Sequence, residues 1–394
     1  MLIKNDIIRR KEFIFCYAIF IANGMLALSI GSLLPFLRDT YSLDYAFCGL
    51  IVSLHSVGNL LAGFISGTLP LLIGKKKSIL LFESFFPISV LLMLSGSRPL
   101  LVFAFLATGL ARGATSNYCN VKINSIATGM AWALNCLHAC FAVGAFLFPL
   151  ILMLFTGTNS EHWIYACWFL AILGVITCIL YYLIPEDEGQ KDNKSEVGTQ
   201  REDAFGFFRE PLFYICTSTL FFYLCAESGV IGWMITYFKD TGLLNPNLSQ
   251  ITASILWVMI LAGRLMVAWL STNHKKENLL PVMGIGIVVF FLVLITSKTT
   301  SPIIIGIMGF GFSMAGIYAT TVSFAGELIK KYSLAWSFIL TTASFGSIIM
   351  PAIVGMVAKN FGISVGLSTI AVALFIDMIC IMKLVMFVRK TSRD

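Results

Sequence analysis

Glu227 is the only carboxylate in the apolar run 212–238, which is long enough to cross a bilayer. A carboxylate at that depth is costly unless it faces a partner or a water-filled cavity. Its chemistry would be to accept hydrogen bonds or take up a proton. The competing reading is a bond between neighbouring helices. Asn117 and Asn120 lie three apart, with Asn124 four further on, along one side of a helix. Each amide offers donors and an acceptor, which suits a polyhydroxylated solute; Asn124, near Lys122, fits helix joining or capping better. Asn135 and His138 are also three apart, and His138 can bond a hydroxyl, exchange a proton or make a neutral bond between helices. His55 and Asn59 repeat the pattern at a spacing of four, beside Ser53, Ser56, Gly58 and Gly63, which equally suit close helix packing.

Gly229 and Gly232 fall in the same run as Glu227. If they break the helix, Trp233 can stack on a solute while Glu227 accepts its hydroxyls. On a straight helix the two do not share a face, and only one reaches a ligand. Asn23, Trp257, Tyr318 and Thr321 are further wall candidates, for which helix packing is at least as good an account. Arg264 and Glu327 are expected to form a gate pair, Arg112 is left without a role, and Asp377 is less central.

The elements that must position these groups are membrane helices. The chain has 394 residues, of which 58% are hydrophobic and 12% charged, about half the charge of an ordinary soluble domain. Twelve apolar runs are expected, at 13–37, 45–72, 78–96, 100–121, 130–155, 163–184, 210–238, 250–271, 279–296, 302–329, 333–358 and 362–388. The first is too long for a cleavable signal and carries Asn23 and Gly24 in its middle, so it reads as a retained span. The polar segment 185–209 separates a half at 11–184 from a half at 210–389 as a linker. Of 27 basic residues, twenty fall on the loops sharing the N-terminal side and five on the other, with Arg112 and Arg264 inside spans. This bias predicts that both termini and the linker are cytoplasmic in a cell-membrane protein.

The net charge of +7 therefore reports topology rather than a nucleic-acid surface. The ten cysteines all fall in spans without a CxxC pair, which argues against a disulfide scaffold or a zinc centre. No phosphate loop, dinucleotide fingerprint, HExxH pair or credible triad occurs, so neither an enzyme nor a cofactor is expected.

The segment "GTLPLLIGKKKSIL" after the second run places Gly67, Gly74 and Lys75 to Lys77 in register with the cytoplasmic loop motif of the major facilitator superfamily, with Leu71 at the usual acidic position. With its six-plus-six layout, the chain resembles that superfamily over nearly its whole length. Within it, "IGSLLPFLRDTY", "ALNCLHACFAVGAFLFPLI", "FFYLCAESGVIGWMITYF" and "ILWVMILAGRL" resemble the branch containing the fucose permease and glucose-transporter-like proteins. The two acidic residues of the fucose permease have no counterpart at Gly31 or around Ala114. The resemblance implies an all-α polytopic fold whose halves rock about a midplane site. It also implies a monomeric carrier of a monosaccharide or similar solute, with a proton at Glu227 or His138 as coupling ion and lipids as surroundings. The alternatives are sodium coupling, export of a lipid-like or drug-like solute, and a non-transport receptor.

Overall fold

The computed structural model describes residues 7–127, 130–184, 205–332 and 334–391. Every regular element among them is a helix. In chain order these are α1 (Ile7–Tyr41), α2 (Tyr45–Ile73), α3 (Lys75–Leu92), α4 (Arg98–Ile126), α5 (Ala131–Thr156), α6 (Trp163–Leu183), α7 (Pro211–Thr241), α8 (Pro246–Leu270), α9 (Lys276–Thr296), α10 (Thr300–Met314), α11 (Ile317–Phe324), α12 (Gly326–Lys331), α13 (Ala335–Phe361) and α14 (Ile363–Thr391). By length and apolarity these make 12 membrane spans, α10 and α11 together forming the tenth. Most of the expected linker, residues 185–204, lies outside the described residues; Gly206–Arg209 is a short 3₁₀ turn.

Local chemistry sets the boundaries. Proline opens α7 and α8, where its missing N–H costs nothing. Between α2 and α3 the chain turns at Gly74, whose φ of 88° is open to glycine and whose N–H donates to Pro70 O at 3.0 Å. Asp44 caps α2 by accepting the Phe47 N–H at 3.0 Å. That bond, helped by Lys359 and Arg98, holds the Asp44 carboxyl below the usual carboxylate range. Asp44→Ala is therefore expected to cost about 1 kcal/mol, the worth of a cap. Because the folded value is depressed, the benefit is present above the ordinary carboxylate pKa and is lost as pH falls through the folded one. Thermal melting across pH should show the wild-type advantage vanishing in acid; a gap that persists there would rule out the charged cap.

The chain packs as two compact units. The first takes in α1–α6 with Val230–Val258 and Pro351–Leu367; the second takes in α7 up to Gly229, Met259–Met350 and α14 from Ser368. In the first, α2 lies on α4 where Gly58 and Gly109 meet, since a Cβ at either would overlap a carbonyl of the facing helix. Gly24 and Gly144 do the same for α1 against α5. Cys16, Ile19, Phe20, Cys119, Ile123 and Leu137 fill the core between α1, α4 and α5. In the second unit α9 lies on α10, with the Phe291 and Phe310 rings 5.8 Å apart. Leu71, Leu72, Ile172, Trp269 and Met386 are exposed on the surface, as suits side chains whose solvent is lipid.

Candidate functional site

In the second unit the chemistry gathers around Glu227. It is half-buried on α7 and receives the Tyr223 hydroxyl at 3.4 Å, one helical turn back. The half-buried Tyr318 ring of α11 lies 6.2 Å from that of Tyr223, so a carboxylate and two phenols converge from two spans. Tyr318 reaches this place because span ten is interrupted at Ala315 and Gly316, where a Cβ would run into Met283 and Val267. Tyr223 also lies within electrostatic reach of Arg264 and Asp377. The group can accept hydroxyl hydrogen bonds, offer ring faces to C–H surfaces and hold a proton.

The first unit holds an aromatic node on α1, α4, α5 and α8. The Phe141 ring lies 5.7 Å from Trp257 and 5.9 Å from Phe20, and Phe20 meets His138 edge-on at 5.8 Å. The Arg112 guanidinium sits 5.7 Å over Phe141, which gives this otherwise unassigned cation a ring to rest on. Asn23 is buried with neither amide atom bonded among the described residues, and the buried Trp257 indole N–H is likewise unbonded. Asn135 and His138 are exposed on this unit. His55 spends its Nδ1 on the Thr108 hydroxyl at 2.9 Å, while Asn59 lies against Gly113.

The geometry gives several of the expected site residues partners within the protein. α7 runs unbroken through Gly229 and Gly232, whose missing side chains make room for Ile370 and Val52 respectively. Trp233 is fully buried and donates its indole N–H to Pro351 O at 3.1 Å, a bond between helices. Asn117 donates to Ser66 Oγ at 2.9 Å and Asn120 to the Ser116 carbonyl at 2.7 Å, bonds that hold helices and a local turn. Glu327 is 90% exposed and pairs with Lys330 at 3.4 Å instead of Arg264. Arg264 lines a separate cavity of 930 Å³ with His274, Lys275, Lys276 and Glu277. Among the described residues, no group of three or more His, Cys, Asp and Glu is arranged to hold a metal ion.

Two features went unread in the sequence. Glu83, a lone carboxylate of α3, is buried and accepts the Thr115 hydroxyl at 2.5 Å, with Thr177 as a second partner. The other is a crossed ion-pair cluster at the helix ends away from Lys75. Arg38 donates to Asp240 at 2.8 Å, and Lys239 donates to Asp39 at 2.8 Å. Tyr45 donates to the other Asp240 oxygen at 2.8 Å and lies under Arg38 at 4.7 Å. The signal was present as a repeat: span one ends in Phe36-Leu37-Arg38-Asp39-Thr40 and span seven in Tyr237-Phe238-Lys239-Asp240-Thr241.

Comparison with known proteins agrees with this architecture. The chain is 24% identical over 363 residues, 88% of each chain, to the glucose/mannose transporter GlcP of Bacillus subtilis (strain 168). It is 25% identical over 351 residues, 86% of this chain and 87% of the other, to the MFS-type transporter YfkL of the same organism. Among solved structures, the nucleoside transporter NupG superposes with a TM-score of 0.75 at 13% identity, covering 96% of this chain and 99% of that one. A D-xylose-proton symporter gives 0.75 at 12%, covering 96% of both. The model of the Major Facilitator Superfamily matches residues 13–329, and the chain, a multi-pass transporter, belongs to that family.

Proposed function

We propose that the protein is a proton-coupled secondary transporter of a monosaccharide or a similar small polyhydroxylated solute, working by alternating access of two six-helix halves, 11–184 and 210–389. The observation that carries this reading is the convergence of Glu227, Tyr223 and Tyr318 within spans seven and ten. A carboxylate flanked by phenols accepts sugar hydroxyls while the rings cover C–H faces, and the carboxylate can take a proton whose binding lowers its cost of burial. Asn135, His138, Asn23 and Trp257 are the further contacts we assign to solute. Similarity to a glucose/mannose transporter and a fold shared with a xylose-proton symporter support the substrate class. The excess of Lys and Arg on one set of loops supports cytoplasmic termini, and the reading takes the protein to act as a monomer in the cell membrane.

Initial-rate uptake of labelled glucose, mannose, xylose, fucose and a nucleoside into proteoliposomes, with proton and sodium gradients imposed separately, tests the reading. Saturable uptake of one sugar, concentrated by an inward proton gradient, is the expected result. A sodium gradient that alone concentrates the sugar would replace the coupling ion. Failure to carry any sugar in vesicles with folded protein would overturn the substrate class.

A further inference from the structure

Asp377 stands midway along α14, fully buried. Neither of its carboxylate oxygens has a hydrogen-bond partner among the described residues. The contrast with Glu83 is direct, because that acid is held by the hydroxyls of two threonines from other helices. An ionised carboxylate in a dry, apolar setting keeps the full penalty of lost hydration unless a cation or donors offset it; a neutral acid has only a polar group to bury.

Arg264 of α8 lies within electrostatic reach of Tyr223, as Asp377 does, but neither carboxylate oxygen of Asp377 has a hydrogen-bond partner among the described residues. α14 packs on α7 where Ile370 fills the space beside Gly229, and on α9 where Met378 and Ile381 fill that beside Gly284. From α7, the titratable groups within its electrostatic reach are Tyr223 and Cys225, with Glu227 bonded to that tyrosine. From α9 the charged groups are Lys276 and Glu277, both in its first turn and therefore at the end of the helix. On α14 itself Cys380 lies within reach, and the nearest cation in sequence is Lys383, six residues on. None of these groups hydrogen-bonds the carboxylate.

We propose that Asp377 is a proton-binding site in the interior of the protein, neutral while α14 is packed on α7 and α9 and ionised when that packing loosens. On binding, an O–H bond forms at a carboxylate oxygen as hydronium gives up its proton to become water. On opening, that O–H bond breaks and the proton returns to water. Tyr223 lies within electrostatic reach of Asp377 and hydrogen-bonds Glu227, so it is a neighbour of both acids. The use of this proton in coupling rests on the transport reading above; the protonation itself does not.

Infrared spectra of the full-length protein in liposomes at neutral pH test the protonation directly. Wild type and Glu227→Gln should show a protonated-carboxyl C=O band that Asp377→Asn lacks, and sodium should leave it unchanged. Asn has the shape of the neutral acid, so Asp377→Asn is expected to fold and melt like wild type. An identical carboxyl region in Asp377→Asn, a band removed by sodium, or an Asn variant that does not fold would each overturn the proposal. If Asp377 and Glu227 hand on the same single proton, then for a sugar the wild type concentrates, the Asn variant should exchange solute but lose accumulation, about tenfold per unit of pH gradient. Unchanged accumulation would remove Asp377 from coupling. If the wild type carries no sugar, the transport reading fails while the spectra still decide the site.

Discussion

Glu227→Gln is expected to abolish accumulation driven by a pH gradient while solute exchange between the two sides continues. Gln keeps the side-chain length and an oxygen able to accept the Tyr223 hydroxyl, which now lies 3.4 Å from Glu227 Oε1. What it removes is titration. Coupling requires that proton binding and solute binding bias the same conformational equilibrium, and one coupled proton concentrates a neutral solute about tenfold per pH unit. With no group changing charge at this point, the ratio should fall to unity, although affinity for a solute that uses the carbonyl oxygen is retained in part. Counterflow and net accumulation measured on the same vesicles separate the two. Full accumulation with an unaltered pH profile in the Gln variant would remove Glu227 from the coupling machinery.

The second large effect belongs to the crossed ion pairs. Asp240→Asn strips Arg38 of the more buried of its two charge partners, at a site where the two side chains are 20% and 9% exposed. Removing one member of a largely buried pair leaves the other charge uncompensated, which typically costs about 3 kcal/mol. Asp39 still accepts from Arg38 at 2.9 Å, so the lower end of that range is expected here. Since 1.4 kcal/mol is tenfold in an equilibrium, a loss of even about 2.8 kcal/mol shifts the pairing of α1 with α7 by about a hundredfold. Hydrogen exchange at residues 36–45 and 237–248 should accelerate accordingly. Arg38→Gln with Asp240→Asn should be less damaging than the sum of the single changes, because no orphan charge remains. Unaltered exchange in Asp240→Asn would mean that packing alone, with Trp233 on Pro351, holds these helix ends together.

Much of the fold was legible because the bilayer imposes it. Length and apolarity fix the number of spans, and the lysine-rich loops fix where one helix hands over to the next, as at Gly74. Chemistry along one helix was partly legible: Glu227 meets Tyr223 at a spacing of four, which sequence alone can propose. What depends on a second span was not. The glycines of span seven and those of span ten look alike in sequence. Only the neighbours decide that Gly229 and Gly232 admit side chains from other helices while the helix breaks beside Gly316. Asn117 and Asn120 share a helix side as expected, yet their partners, Ser66 on α2 and a carbonyl one turn back, hold helices and a local turn. Trp233 has the residue type of a sugar platform, but its surroundings make it a buried bracket on Pro351. Glu83 carried the same signal as Glu227, a single acid in an apolar run, and its threonine partners lie 32 and 94 residues away in the chain.

The crossed pairs have one further consequence. In Arg38-Asp39 and Lys239-Asp240, spans one and seven each end on a basic residue followed by an acidic one, and each base reaches the acid of the other span. Such a dipeptide is self-complementary: it needs no partner other than a second copy of itself, as in an isologous contact. Either dipeptide could therefore stand in both places, and each base would still find an acid.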